Sequence, residues 1–119
     1  MKSILIVDDQ PGIRLLLEEL FRREKYTTKT AKNGLEALKQ VEECELDCVL
    51  LDMKMSGMNG IDVLKSLKSN WPQLPVVMMT AYDDTELINE ALEIGAVNFF
   101  VKPFDIFEVR DVVNALFKK

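Results

Sequence analysis

Two hydrophobic rhythms alternate along the chain. Uninterrupted apolar runs occur at residues 4–7 (Ile-Leu-Ile-Val), 48–51 (Cys-Val-Leu-Leu) and 76–79 (Val-Val-Met-Met). Such short runs predict strands buried on both faces. Residues 26–31 form a threonine-rich strand nearer an edge, and residues 99–101 form the last strand. Between the strands, apolar residues recur at helical spacing: Ile13, Leu16, Leu17, Leu20 and Phe21; Leu35, Leu38 and Val41; Ile61, Leu64 and Leu67. The stripes Leu87, Ile88, Ala91 and Leu92, then Val109, Val112, Val113 and Leu116, complete the series. Asn33-Gly34 marks a turn, and the third helix is expected to stop before Trp71-Pro72. Gly95 is placed to end the fourth helix, and Asp105, with Glu108 three residues on, to start the fifth.

Strand and helix thus alternate through five units, which predicts an α/β fold with a parallel sheet covered by helices on both sides. Five units are too few for an eightfold barrel. The expected architecture is a flavodoxin-like, doubly wound (βα)5 sheet with strand order 2-1-3-4-5. The chain of 119 residues shows no repeat or linker, so residues 1–119 are read as one domain. No run approaches the roughly 20 apolar residues that span a bilayer, and the N-terminus lacks a signal-peptide pattern. A cytoplasmic protein without membrane contact is expected. A net charge of −5 argues against a dedicated nucleic-acid binder. Cys44 and Cys48 have no histidine to complete a metal site with them, and are expected to be buried, reduced thiols. The absence of histidine also means that any phosphohistidine chemistry must come from a partner.

In open α/β sheets, ligands bind beyond the carboxyl ends of the strands, at the point where strand order reverses. The first strand runs into Asp8-Asp9, the third into Asp52, the fourth into Thr80 and the fifth into Lys102-Pro103. Taken singly, each has an ordinary reading: the aspartates and Thr80 as caps or turn formers, Lys102 as a surface lysine. Their joint placement at one sheet edge argues for chemistry. Three converging carboxylates repel one another, and a hard divalent cation such as Mg²⁺ relieves the conflict. A metal, a lysine and a hydroxyl around one carboxylate suit phosphoryl transfer, with an acyl phosphate as product.

The segments Ile4-Leu5-Ile6-Val7-Asp8-Asp9, Leu50-Leu51-Asp52-Met53, Gly57-Met58-Asn59-Gly60, Met79-Thr80-Ala81 and Val101-Lys102-Pro103-Phe104 carry a resemblance over essentially the whole chain. The sequence resembles the receiver domains of bacterial two-component response regulators. More narrowly, Asp8-Asp9-Gln10, Asp52-Met53-Lys54, Thr80-Ala81-Tyr82 and Lys102-Pro103-Phe104-Asp105 resemble the single-domain regulators of Bacillus sporulation phosphorelays. Ser56 departs from the proline usual in that family, without removing a chemical group. The resemblance implies that Asp52 is the phosphoacceptor and that Thr80 and Lys102 contact the phosphoryl oxygens. It implies that Asp9, Asp52 and the backbone carbonyl of Lys54 bind Mg²⁺ directly and that Asp8 acts through a metal-bound water. A cis Lys102–Pro103 bond is expected, and Phe99 stands at the family's switch-aromatic position.

The function expected is acceptance of a phosphoryl group from a sensor histidine kinase onto Asp52. If the chain is the whole protein, no output domain follows, and a monomer would signal by docking or by passing the group to a histidine phosphotransfer protein. The first helix holds more apolar residues than one core stripe needs, so Ile13 and Leu16, with Pro103 and Phe104, are expected to form an apolar docking patch. Lys54 and Tyr82, two positions after Asp52 and Thr80, are expected to lean over the phosphoryl group and slow its hydrolysis. Competing readings are an Mg²⁺-dependent phosphohydrolase with an aspartyl nucleophile, a flavin or nucleotide carrier, and the receiver fragment of a larger transcription factor. The first normally separates its two aspartates by one residue and carries a cap domain. The second needs a glycine-rich loop after the first strand, where only Gly12 stands.

Overall fold

A computed structural model describes residues 2–55, 59–80 and 85–117. The elements follow in strict alternation: β1 (Ser3–Val7), α1 (Pro11–Arg23), β2 (Thr27–Ala31), α2 (Gly34–Glu43), β3 (Cys48–Asp52), α3 (Gly60–Asn70), β4 (Val76–Thr80), α4 (Thr85–Ile94), β5 (Asn98–Val101) and α5 (Ile106–Leu116). The strands form one parallel sheet in the order β2-β1-β3-β4-β5, as the alternation predicts. Among the described residues no helix is long and apolar enough to cross a membrane.

The continuous apolar runs have a direct structural cause. Successive strand residues point to opposite faces, and here both faces are covered. Leu5, Val7, Val49, Leu51, Val76 and Met78 pack on one side with α2, α3 and α4. Ile4, Ile6, Cys48, Leu50, Val77 and Met79 pack on the other with α1 and α5. A polar residue in β1, β3 or β4 would therefore enter one core or the other. Each large apolar side chain so buried contributes about 1.5–3 kcal/mol. The edge position of β2 explains its threonines, which alternate between exposed and half-buried.

Several local expectations need correction. Leu35 is 75% exposed, so the stripe Leu35–Leu38–Val41 is displaced. The Asn33 side chain accepts a hydrogen bond from the Glu36 amide at 2.9 Å and starts the helix at Gly34. Gly34, Ala37 and Val41 then face inward, with Leu38 partly buried, while Leu35 is turned roughly 100° away. Leu92 is also an exposed member of its stripe, and Val112 is only half-buried. Cys48 is buried, but Cys44 is half-buried. Burial, reinforced by Asp47, pushes the Cys48 thiol up to about 12, which makes it inert. Asp105 caps α5 as expected, its side chain accepting from the amide of Phe107. Gly95 adopts a positive φ of 132° at the end of α4, as its placement predicts.

Candidate functional site

The switch point lies between β1 and β3, whose ends are in register at Val7 and Leu51. One step further, Asp8 and Asp52 emerge side by side. Adjacent residues diverge, so Asp8 is buried while Asp9 is exposed at the rim. One carboxylate oxygen from each of Asp8, Asp9 and Asp52 lies within 4.8 Å of the others. Thr80 closes β4 and is buried, and the Lys102 amide donates to the Thr80 carbonyl at 2.7 Å. The Lys102–Pro103 peptide bond is cis, as expected.

The Lys102 ammonium projects into the acidic group. It lies 2.7 Å from Asp8 Oδ2, 3.3 Å from Gln10 Oε1 and 3.6 Å from Asp52 Oδ1. The other Asp8 oxygen accepts the Gln10 amide at 2.9 Å, and Arg14 Nη1 donates to the Asp8 carbonyl at 2.7 Å. Behind Asp52, α3 begins in close contact with β3: the Gly60 amide donates to the Met53 carbonyl at 2.7 Å. The Asn59 side chain caps this helix by accepting from the Asp62 amide.

Burial is the largest influence on Asp52 and pushes its carboxyl up to about 6. Asp8 and Asp9 push in the same direction, while Lys102 and a hydrogen bond from the Lys54 amide oppose them. Among the described residues Lys102 is ion-paired with two of these three carboxylates, Asp8 and Asp52, which leaves their charge incompletely offset. An all-oxygen donor set with this deficit fits a small, hard divalent cation.

The cluster opens into a crevice of about 480 Å³. Asp9, Gln10, Asp52, Lys54 and Lys102 form its polar side, and Ile13, Leu16, Pro103 and Phe104 its apolar side. The expected patch is thus continuous with the acidic site. Leu16 and its neighbour Leu15 are exposed, whereas Ile13 is half-buried. A larger cavity of about 750 Å³ sits among the α2–β3 and α3–β4 loops, away from these strand ends. Phe99 is half-buried against the α2–α4 side of the core. Lys54 is exposed at the crevice, while Ser56, Gly57, Met58, Ala81 and Tyr82 lie outside the described residues.

Two contributors escaped the reading from sequence. Gln10 drew no role, although a long carboxamide at a helix N-cap, where short side chains are favoured, was a usable signal. Gly60 was noted only within a motif, and its contact with β3 follows from helix placement.

Residues 4–114 match the model of the response regulator receiver domain family. Sporulation initiation phosphotransferase F of Bacillus subtilis is 52% identical over 113 residues, covering 95% of this chain and 91% of that protein. Regulatory protein AtoC of Escherichia coli is 40% identical over 96% of this chain, which spans only 25% of that longer protein. The crystal structure of response regulator TrrA from Thermotoga maritima, in complex with Mg²⁺-BeF, superposes with a TM-score of 0.88 at 35% identity, covering 98% of this chain and 99% of that one. With the sheet order, the acidic strand ends and a family match spanning nearly the whole chain in agreement, the chain belongs to the response regulator receiver domain family.

Proposed function

We propose that Asp52 accepts a phosphoryl group from a phosphohistidine of a sensor histidine kinase and that residues 1–119 act as one receiver domain. The observation that supports this most is the Asp52 carboxylate at the meeting point of Asp8, Asp9 and Lys102, open to a crevice. An Asp52 oxygen forms the new P–O bond as the P–N bond of the donor histidine breaks. Lys102 and Thr80 donate to the phosphoryl oxygens and offset their charge. Asp9, Asp52 and the Lys54 carbonyl, with Asp8 through a water, would hold Mg²⁺, whose charge would offset that of the transferring group. The chain carries one phosphoryl group at a time as a phosphotransfer intermediate and is not a turnover enzyme on a small substrate.

We read it as a cytoplasmic monomer that passes the group to a histidine phosphotransfer protein, as a member of a sporulation phosphorelay would. A receiver within a longer regulator is the second reading, with which the quarter-length match to AtoC is consistent. The length of the natural gene product separates the two.

The apolar side of the crevice suits the flank of a helical bundle that presents a histidine. Ile13→Ala and Leu16→Ala are each expected to slow transfer from the phosphorylated kinase about tenfold, the equivalent of 1.4 kcal/mol. Labelling by acetyl phosphate should stay near the native rate, because the acidic pocket is untouched. Equal losses in the two assays would refute the docking role.

Slow loss of the phosphoryl group belongs to the same reading. Hydrolysis needs a water aligned opposite the leaving carboxylate, and Lys54 offers donors only, so it cannot accept that water's proton. Lys54→Asn is expected to shorten the lifetime of the phosphorylated protein about tenfold. Decay at fixed Mg²⁺ and pH tests this, and an unchanged rate would refute it.

A further inference from the structure

We propose that Gln10 is a positioning residue for Lys102, a role that rests on the phosphoacceptor reading above. An ammonium has three N–H donors. The acceptors around Lys102 Nζ are Asp8 Oδ2 at 2.7 Å, Gln10 Oε1 at 3.3 Å and, as a looser ion pair, Asp52 Oδ1 at 3.6 Å. The first two are joined, because the Gln10 amide donates to Asp8 Oδ1 at 2.9 Å. Asp8, Gln10 and Lys102 thus close a ring, which directs the ammonium to the side of Asp52 where a phosphoryl oxygen must be met.

The local sequence supports a specific use of this side chain. Gln10 is the N-cap of α1, with Pro11 directly after it, and its side chain makes no capping hydrogen bond. Its carbonyl accepts from the Arg14 amide at 3.2 Å, so its backbone is fixed while the carboxamide reaches Lys102. Asparagine or aspartate would cap the helix better, but each is one methylene shorter. The longer side chain forgoes the cap and holds a flexible lysine that would otherwise sample many rotamers. Gln10 does not touch the Asp52 carboxylate in this arrangement and acts through Lys102.

The variants Gln10→Asn and Gln10→Met separate this role from a structural one. Asparagine supplies a cap but loses reach, whereas methionine keeps bulk and reach but loses the acceptor. Both are expected to lower the efficiency of acetyl phosphate labelling about fivefold, the size of one ordinary hydrogen bond. Mg²⁺ affinity should change less than about twofold, because no direct ligand is removed. The Lys102 ammonium protons, followed by NMR, should exchange faster with water in both variants. Gln10→Asn should melt no lower than the native protein despite its weaker labelling. In a Lys102→Ala background either substitution should add nothing further. Native labelling rates and ammonium exchange in both variants would overturn the proposal, as would additive losses in the Lys102→Ala background. If the native protein itself fails to label at Asp52, the phosphoacceptor reading fails first.

Discussion

Gly60→Ala is expected to destabilise the protein by at least about 3 kcal/mol and to lower its melting temperature by roughly 10 °C or more. A Cβ at this position would lie 2.5 Å from the Asp52 carbonyl oxygen, 2.7 Å from Met53 Cα and 2.8 Å from the Met53 carbonyl oxygen. All three are backbone atoms, so no side chain can swing aside. The start of α3 must move off β3, which strains the hydrogen bond from the Gly60 amide to the Met53 carbonyl. The strand end that moves carries Asp52, so labelling should fall together with stability. Gly12 is the control: an added Cβ there meets nothing within 4 Å. Gly12→Ala is expected to be neutral or to stabilise by about 0.5–1 kcal/mol. Thermal melts of both variants check the pair, and a Gly60→Ala protein melting within about 2 °C of native would contradict the proposed packing.

Asp52→Asn is expected to stabilise the metal-free protein at pH 7.5. Folding raises the Asp52 carboxyl from its ordinary 3.8 to about 6, chiefly through burial and then through Asp8. Between those values the folded state binds the proton more tightly than the unfolded chain. The stabilisation linked to that proton is complete below the unfolded value and is lost as pH rises through the folded one. Above about pH 6 the ionised carboxylate is therefore a burden on the metal-free fold, of about 3 kcal/mol by full linkage. Water in the open crevice screens the repulsion and reduces this to about 1–2 kcal/mol. Asparagine carries no charge, so the variant should melt about 5 °C above native at pH 7.5 in a chelator. The two melting temperatures should converge toward pH 4, where both side chains are neutral. Saturating Mg²⁺ should reverse the order, because the native protein binds it more tightly and gains more from mass action. A native protein more stable than the variant in chelator at pH 7.5 would contradict this account of the site's charge.

The sheet was legible because β1, β3 and β4 are buried on both faces, so that each must be written as an unbroken apolar run. The site was legible for a related reason: strand ends at the switch point are fixed by topology, and four of them carry Asp8, Asp52, Thr80 and Lys102. Side-chain direction at helix starts was less legible. Leu35 reads as core by hydropathy, yet the Asn33 cap sets the helical phase and turns it outward. The division of labour between Asp8 and Asp9 came only from the family resemblance, since their type is identical and only the exit path of the strand buries one of them. Long-range polar contacts left no local trace. Tyr26 meets Asn114 through its hydroxyl and Phe21 and Phe117 through its ring, a junction that exists only once α5 has packed beside α1.

The central claim is that Asp52 receives the phosphoryl group. Its most direct test is peptide mass spectrometry after incubation with acetyl phosphate and Mg²⁺, with the acyl phosphate trapped by borohydride reduction. The account predicts modification at Asp52 alone in the native chain, its loss when Mg²⁺ is chelated, and none in Asp52→Ala. Stable labelling of another residue with Asp52 unmodified, or undiminished labelling of Asp52→Ala, would contradict it.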